Sequence, residues 1–368
     1  MFSTNYFTSE SVCAGHPDKV ADQISDSILD ALLEQDKNSR VAVETLVTTD
    51  RVVLAGEVTT TAQVDYEQVA RQQIKRLGYV DKKFDFTAQS PFSTYIHQQS
   101  PDIATGVDND GAGDQGMMFG FATTETPQLM PLPIILSHKL AKKIDQAREE
   151  KVLDYLRPDG KTQVTVEYKN GQPVGVKTVV IAVPHDEEVS LDQVKKDIYQ
   201  QVVLPILAEY SFDLKISQLT VNGTGVWHIG GPASDTGMTG RKIIVDGYGG
   251  YAKVGGGAFS GKDPTKVDRS GAYAARYIAK NLVAQGLAKK AEVGLAYCIG
   301  QAQPVMKTFD TFGTATANDK DIQAFVNEIL DTSVRGIIEA FNLLQPIYLS
   351  TAAYGHFGKS EYPWEQLV

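Results

Sequence analysis

Cysteine is almost absent from this chain of 368 residues: Cys13 and Cys298 are its only two. Two thiols so far apart give neither a disulfide framework nor a metal-ligand spacing, and the expectation is that both stay reduced in a cytoplasmic protein. No apolar run approaches the ~18 residues of a membrane span, and MFSTNYFTSE has no basic region leading into an apolar stretch. No membrane partner is therefore expected. Excess positive charge is missing too. A net charge of −10 argues against nucleic acid as a general partner, and it makes any local cluster of Lys and Arg more informative. No G-x-S-x-G, Ser-His-Asp or reactive-cysteine motif appears. What is present, 42% apolar residues, suffices for the cores of two or three domains.

The stretch from Gly255 to Ser270, GGGAFSGKDPTKVDRS, carries the strongest chemistry. Glycines let backbone N–H groups approach a phosphate, and Lys262 and Lys266 add charge. The spacing nearly spells a nucleotide P-loop, G-x-x-x-x-G-K-[ST]. Asp263 stands where the metal-binding hydroxyl should be, and Asp263-Pro264 reads as a helix N-cap with proline at the first position. The P-loop fold is rejected and the phosphate chemistry kept. A flexible surface loop with incidental lysines is the plainer reading.

Along the chain, Pro17 opens a helix whose apolar face is Val20, Ile24, Ile28 and Leu32. Asp18, Asp22, Asp26 and Asp30 form a second stripe, read as solvated at Asp30 and Asp26, whereas Asp18 beside His16 suits a bound cation. Strands follow at about 40–48 and 52–61, with the first covered on both faces. Glu44 and Glu57 interrupt them, each either salt-bridged or ligating a cation. A helix at 65–77 closes the unit. The same order recurs as helix 137–156, strands 161–168 and 173–183 around Asn170-Gly171, and helix 190–207. It recurs again as helix 270–285, strands 292–299 and 305–312, and a helix from 322. A period of about 120–130 residues implies three similar units in an α+β fold, each a sheet with helices on one face. The remaining faces must be buried against each other or another subunit.

Two segments between units are polar and glycine-rich. Residues 100–116 read as a loop, either a linker or a lid in which Gln99, Asp102 and Asp114 meet a ligand. Residues 221–232 contain Trp227, a platform for a flat ligand or core filling, ahead of Asp235 and of Arg241-Lys242, which precede a strand at 243–245. Hard oxygen donors (Asp18, Asp268, Glu44) amid many cations point to Mg²⁺ rather than zinc.

These segments resemble one family, the S-adenosylmethionine synthetases. The matching motifs are GHPDK at 15–19, GAGDQG at 111–116, TGRKIIVD at 239–246, GGGAFSGKDPTKVDRS at 255–270 and TAAYGHFG at 351–358, and the likeness runs from about Thr8 to Trp364. It implies a transferase with three similar α/β domains in pseudo-threefold arrangement (1–99, 117–230 and 231–368, with a mobile loop at 100–116). It also implies active sites at the interface of a homodimer or dimer of dimers. ATP and L-methionine would be the substrates, with Mg²⁺, two ions per site, and K⁺ as cofactors. Methionine sulfur would attack ATP C5′, and the expelled triphosphate would be cleaved to phosphate and pyrophosphate. By that resemblance His16, Lys161, Arg241 and Lys262 are catalytic. ATP is met by His16, Asp159, Gly160, Lys161, Val226, Trp227, Asp235, Arg241, Lys242, Ala258 and Lys262. Glu57, Gln99, Asp114, Asp235 and Lys266 line the methionine pocket. Asp18 and Asp268 hold Mg²⁺, and Glu44 holds K⁺. Two departures stand out. Asn222-Gly-Thr-Gly-Val226-Trp227 replaces the family's usual Asn-Pro-Thr-Gly, Arg or Ser, Phe, which keeps stacking and loses a polar adenine contact. Only Asn109-Asp110 lie between GVD and GAGDQG, a shorter lid than usual. A rival reading is an ATP-binding scaffold without catalysis; another is a kinase or plain triphosphatase.

Overall fold

A computed structural model describes residues 5–98 and 111–368. The elements run β1 (Tyr6–Val12), α1 (Pro17–Gln35), β2 (Arg40–Thr48), β3 (Arg51–Thr59), α2 (Tyr66–Arg76), β4 (Phe92–His97) and β5 (Gly116–Thr123). Next come α3 (Leu132–Glu149), β6 (Lys161–Lys169), β7 (Gln172–Ala182), α4 (Leu191–Asp197), α5 (Leu204–Ala208), β8 (Leu219–Val221) and β9 (Gly237–Met238). The last third is α6 (Ile243–Asp246), α7 (Val267–Ala284), β10 (Lys290–Tyr297), β11 (Met306–Asp310), α8 (Asp319–Glu328) and α9 (Val334–Ala340).

Three sheets form, in the orders β4-β3-β2-β9, β1-β6-β7-β8 and β11-β10-β5. The hairpins β2-β3 and β6-β7 are the centres of their sheets, and the hairpin β10-β11 forms two of the three strands of the last, with β11 at its edge. The strand that opens each unit, however, joins a different unit's sheet: β1 pairs antiparallel with β6, β5 with β10, and β9 with β2. The exchange closes in a cycle of three. One long helix covers each sheet: α1 lies on β2, α3 on β1 and β6, and α7 on β5 and β10. Helices α1, α2 and α7 share one continuous apolar core with β2, β3, β5 and β10, while α3, β6 and β7 centre a second.

Several expectations change. β1 escapes alternation analysis because its inward residues include Ser9 and Ser11, which bond to Gly249 O and His138 Nδ1, each at 2.8 Å. Helix α3 begins earlier than expected, because Pro133 is accepted in its first turn, where its missing N–H costs nothing. Residues 243–245 are a helical turn, not a strand. Asp263-Pro264 does not cap a helix; α7 begins at Val267. β2 is covered on one face only: Val41, Val43 and Val47 are buried and Glu44 is exposed. The desolvation argument for Glu44 therefore fails within the chain, because a solvated carboxylate costs nothing to keep.

Candidate functional site

The N-terminus of α1 is where the chemistry gathers. This helix is buried nearly all round, and 15 of its residues lose contact with solvent, including Asp18, Asp22 and Asp26. Its acidic stripe is not a solvated face. Each aspartate accepts a backbone N–H from far along the chain: Asp18 from Met238 at 3.0 Å, Asp22 from Gly240 at 2.8 Å, Asp26 from Gly261 at 2.8 Å. Asp30 takes Tyr348 and Leu349 at 2.9 and 2.8 Å. The reading of Asp26 and Asp30 as solvated is corrected: four stacked carboxylates are tolerated because each meets donors from another domain. Burial pushes Asp30 up to about 7 even so.

His16 is the N-cap residue, and its Nδ1 accepts the Asp18 N–H at 3.2 Å. The ring proton therefore sits on Nε2, which is buried and has no partner. Burial first, then the charges of Lys242 and Lys161, push His16 down to about 3, so it stays neutral at ordinary pH. Lys242 is ion-paired to Asp18, and Arg241 Nε lies 3.7 Å from the same carboxylate. Against burial, which would raise it, Lys242 and the Met238 N–H hold Asp18 below the usual carboxylate range. Lys161 opens β6 opposite Val12 and is exposed, with its charge acting on His16. His16, Asp18, Arg241, Lys242 and the field of Lys161 form one group.

The glycine-rich stretch builds a second group. Gly261 O accepts from Val43 N–H at 3.0 Å and Asp263 N–H donates to Val41 O at 3.1 Å, so this segment runs alongside β2. Lys262 pairs with Asp268. A Cβ at Gly256 or Gly257 would sit 3.0 or 2.9 Å from an Asp268 oxygen, so only glycine lets the backbone lie this close to the carboxylate. Asp114, Phe119, Gly255 and Asp268 line a cavity of about 490 Å³. Lys266 is paired with Asp263, which burial would raise but Lys266 holds low. Among the described residues no ion pair or side-chain hydrogen bond joins the first group to the second. Gly240 and Ala258 touch between them.

The remaining candidates are dispersed. Asp159 is buried, accepting from Gly160 N–H at 2.7 Å and Gly231 N–H at 2.8 Å, and burial pushes it up to about 6. Trp227 donates from Nε1 to Ile229 O at 2.6 Å; Val226 and Asp235 are exposed. Asn222 locks the preceding turn by bonding both ways to the Val183 backbone, at 2.8 and 2.9 Å. Glu57 shares the outward face of β2 and β3 with Glu44 and lies 3.4 Å from His97. Gln99 and Asp102 fall outside the described residues.

Sequence reasoning missed the residues that hold His16 in place. Asp145 accepts Ala14 N–H at 2.8 Å, Tyr79 donates to Gly15 O at 2.5 Å, and Gln23 donates to Ala14 O at 2.7 Å. Lys19, fully buried between Asp22 (2.9 Å) and Asp246 (2.6 Å), was also missed. The one available signal was Lys19 itself, a charge placed next to the helix's apolar face.

Comparison with known proteins decides the family. Three models match in succession: the S-adenosylmethionine synthetase N-terminal domain over residues 4–101, the central domain over 109–227 and the C-terminal domain over 229–366. The chain belongs to the S-adenosylmethionine synthetase family. It is similar to the S-adenosylmethionine synthase of Parafrankia sp. (strain EAN1pec), 52% identical over 99% of this chain and 96% of the relative. It is likewise similar to the S-adenosylmethionine synthase of Staphylococcus epidermidis, 51% identical over 100% of this chain and 96% of that one. The three synthetase domains are thus present in full succession, each centred on one of the sheets described. Among the described residues no helix is long and apolar enough to cross a membrane.

Proposed function

We propose that this chain joins ATP and L-methionine into S-adenosylmethionine, releasing phosphate and pyrophosphate. The observation that carries the reading is the first group: an unpartnered, buried Nε2–H on neutral His16 at a helix N-terminus, with Arg241, Lys242 and Lys161 around it. A helix N-terminus ringed by cations is suited to a polyphosphate. A thioether sulfur is a neutral nucleophile, so attack on ATP C5′ needs no general base. What the protein must supply is alignment and stabilisation of charge on the departing triphosphate.

In this reading His16 donates from Nε2 to the oxygen that leaves C5′, a role open to a neutral imidazole across the working pH range. Lys161, Arg241, Lys242 and Lys262 bind phosphate oxygens. Asp159 and Gly160 shape the wall beside them, and Trp227, Val226 and Ala258 border the nucleoside. Glu57, Gln99, Asp114 and Lys266 receive methionine, with Asp235 touching both substrates. Asp18 and Asp268 are hard single carboxylates beside the phosphate lysines. Among the described residues no cluster of three or more His, Cys, Asp or Glu forms a complete metal cage. That donor set fits Mg²⁺, which is usually held by one or two carboxylates together with substrate phosphates, and its charge would offset that of the triphosphate. Glu44, exposed and unpaired among the described residues, is the proposed K⁺ ligand at a subunit interface. The domain division at residues 1–99, 100–116, 117–230 and 231–368, the homodimer or dimer of dimers, and a cytoplasmic setting belong to the same reading.

Incubation with ATP, with and without methionine, tests it. The proposal expects a sulfonium product only with methionine present, none in excess EDTA, and a higher rate in K⁺ than in Na⁺. ATP turnover without methionine and without sulfonium would mark a triphosphatase, and binding without turnover a scaffold.

A further inference from the structure

A cavity of about 420 Å³ lies between α3 and the segment 354–361, lined by none of the residues assigned above. One wall is apolar, with Ile135 and Phe357; the other is cationic. Lys359 is folded inward and donates from Nζ to Ala353 O at 2.8 Å, with Ser350 O and Tyr362 Oη each at 3.4 Å. Among the described residues it has no carboxylate within ion-pair distance, and neither has Lys142. The other two lysines in the wall are satisfied, Lys139 by Glu209 and Lys280 by Glu365. Glu361 is the single carboxylate in the lining.

Two more polar atoms there lack partners. His138 Nε2 and Gln128 Oε1 are buried and unbonded, although the other ring nitrogen of His138 meets Ser11 Oγ at 2.8 Å. Orphaned buried groups are rare, and a half-buried ammonium without a counter-charge carries a desolvation cost. The cost is visible at Lys359, which burial pushes down to about 7. Lone lysines do occur on surfaces, but here a half-buried, inward-folded cation, a second unpaired cation and two residues with orphaned polar atoms line one apolar-backed space.

We propose that this cavity binds a small aryl anion. Its carboxylate or phosphate head sits between Lys359 and Lys142, within reach of His138, and its ring lies on Ile135 and Phe357. The head supplies the missing counter-charge, and the ring takes the apolar wall out of water.

Titration calorimetry on the full chain with phenyl phosphate and with benzoate tests this, the preferred probe identifying the head group. Lys359→Gln should weaken binding by about tenfold or more, as should Lys142→Gln, whose exposed position leaves folding intact should the first variant fail to fold. Lys262→Gln, in the phosphate group described earlier, should leave the affinity unchanged. The proposal is overturned if neither probe binds. It is also overturned if affinity falls in Lys262→Gln and survives in both cavity variants, because the probe would then be occupying the substrate site.

Discussion

Asp26 and Arg269 meet face to face, Nη1 to Oδ1 and Nη2 to Oδ2, both at 2.8 Å and both wholly out of solvent. The pair joins α1 to α7. Asp26 Oδ1 also accepts Gly261 N–H, next to Lys262, so one carboxylate fixes the glycine-rich segment against the first domain. Asp26→Ala leaves the guanidinium buried without its counter-charge. It should lower the unfolding free energy by about 3–5 kcal/mol. Chemical denaturation would measure this, and a loss below about 1 kcal/mol would show that the pair is dispensable.

A pH dependence follows from His16. Its native pKa of about 3 lies below the ordinary 6.5, so between those values the unfolded chain binds the extra proton and the native chain does not. Stability from this group is therefore complete above about 6.5 and declines as pH falls toward 3. His16→Asn retains a capping side chain and has nothing to titrate. The variant should lose about 2 kcal/mol less than the parent between pH 6.5 and 5, as a single-proton difference allows. Parallel stability curves for the two proteins would place His16 elsewhere.

For the leaving group, Lys262→Ala and Arg241→Ala should act on kcat rather than on the KM for methionine. Each charge addresses the triphosphate, and by analogy with losing an oxyanion donor each should cost roughly 2–4 kcal/mol in the transition state. A variant with normal kcat and only weakened methionine binding would contradict the assignment.

How the site is assembled can be tested between copies of the chain. Among the described residues the His16 group and the Lys262 group have no side-chain bond to one another, which suits a site completed across a subunit interface. Mixing His16→Asn with Lys262→Ala and allowing subunits to exchange should restore part of the activity. Light scattering that finds an active monomer would rule the arrangement out.

Much of this was legible in the chain, and the failures have physical causes. The hairpins at 40–59 and 161–182 carry Val-rich patterns and a turn signal, so their position could be read directly. The exchange of β1, β5 and β9 between units could not, because pairing across hundreds of residues leaves no local periodicity. The same long-range contacts hid the role of Asp22, Asp26 and Asp30. A carboxylate that receives backbone N–H groups from 218 or more residues away looks, in sequence, like one facing water. His16 and Asp18 were legible for the opposite reason, since helix capping is local and Pro17 marks the helix start. Glu44 was misjudged by assuming a cover over both faces of β2 that a single chain does not provide.

The central claim is that carbon–oxygen cleavage at C5′ releases triphosphate whole, with no protein nucleophile. Rapid quenching of a single turnover, with ATP labelled in the adenosine and γ-phosphate positions, tests it most directly. The account predicts that sulfonium and intact triphosphate appear together in equal amounts, before phosphate and pyrophosphate. Free phosphate arriving ahead of the sulfonium, or label held covalently on the protein, would contradict it.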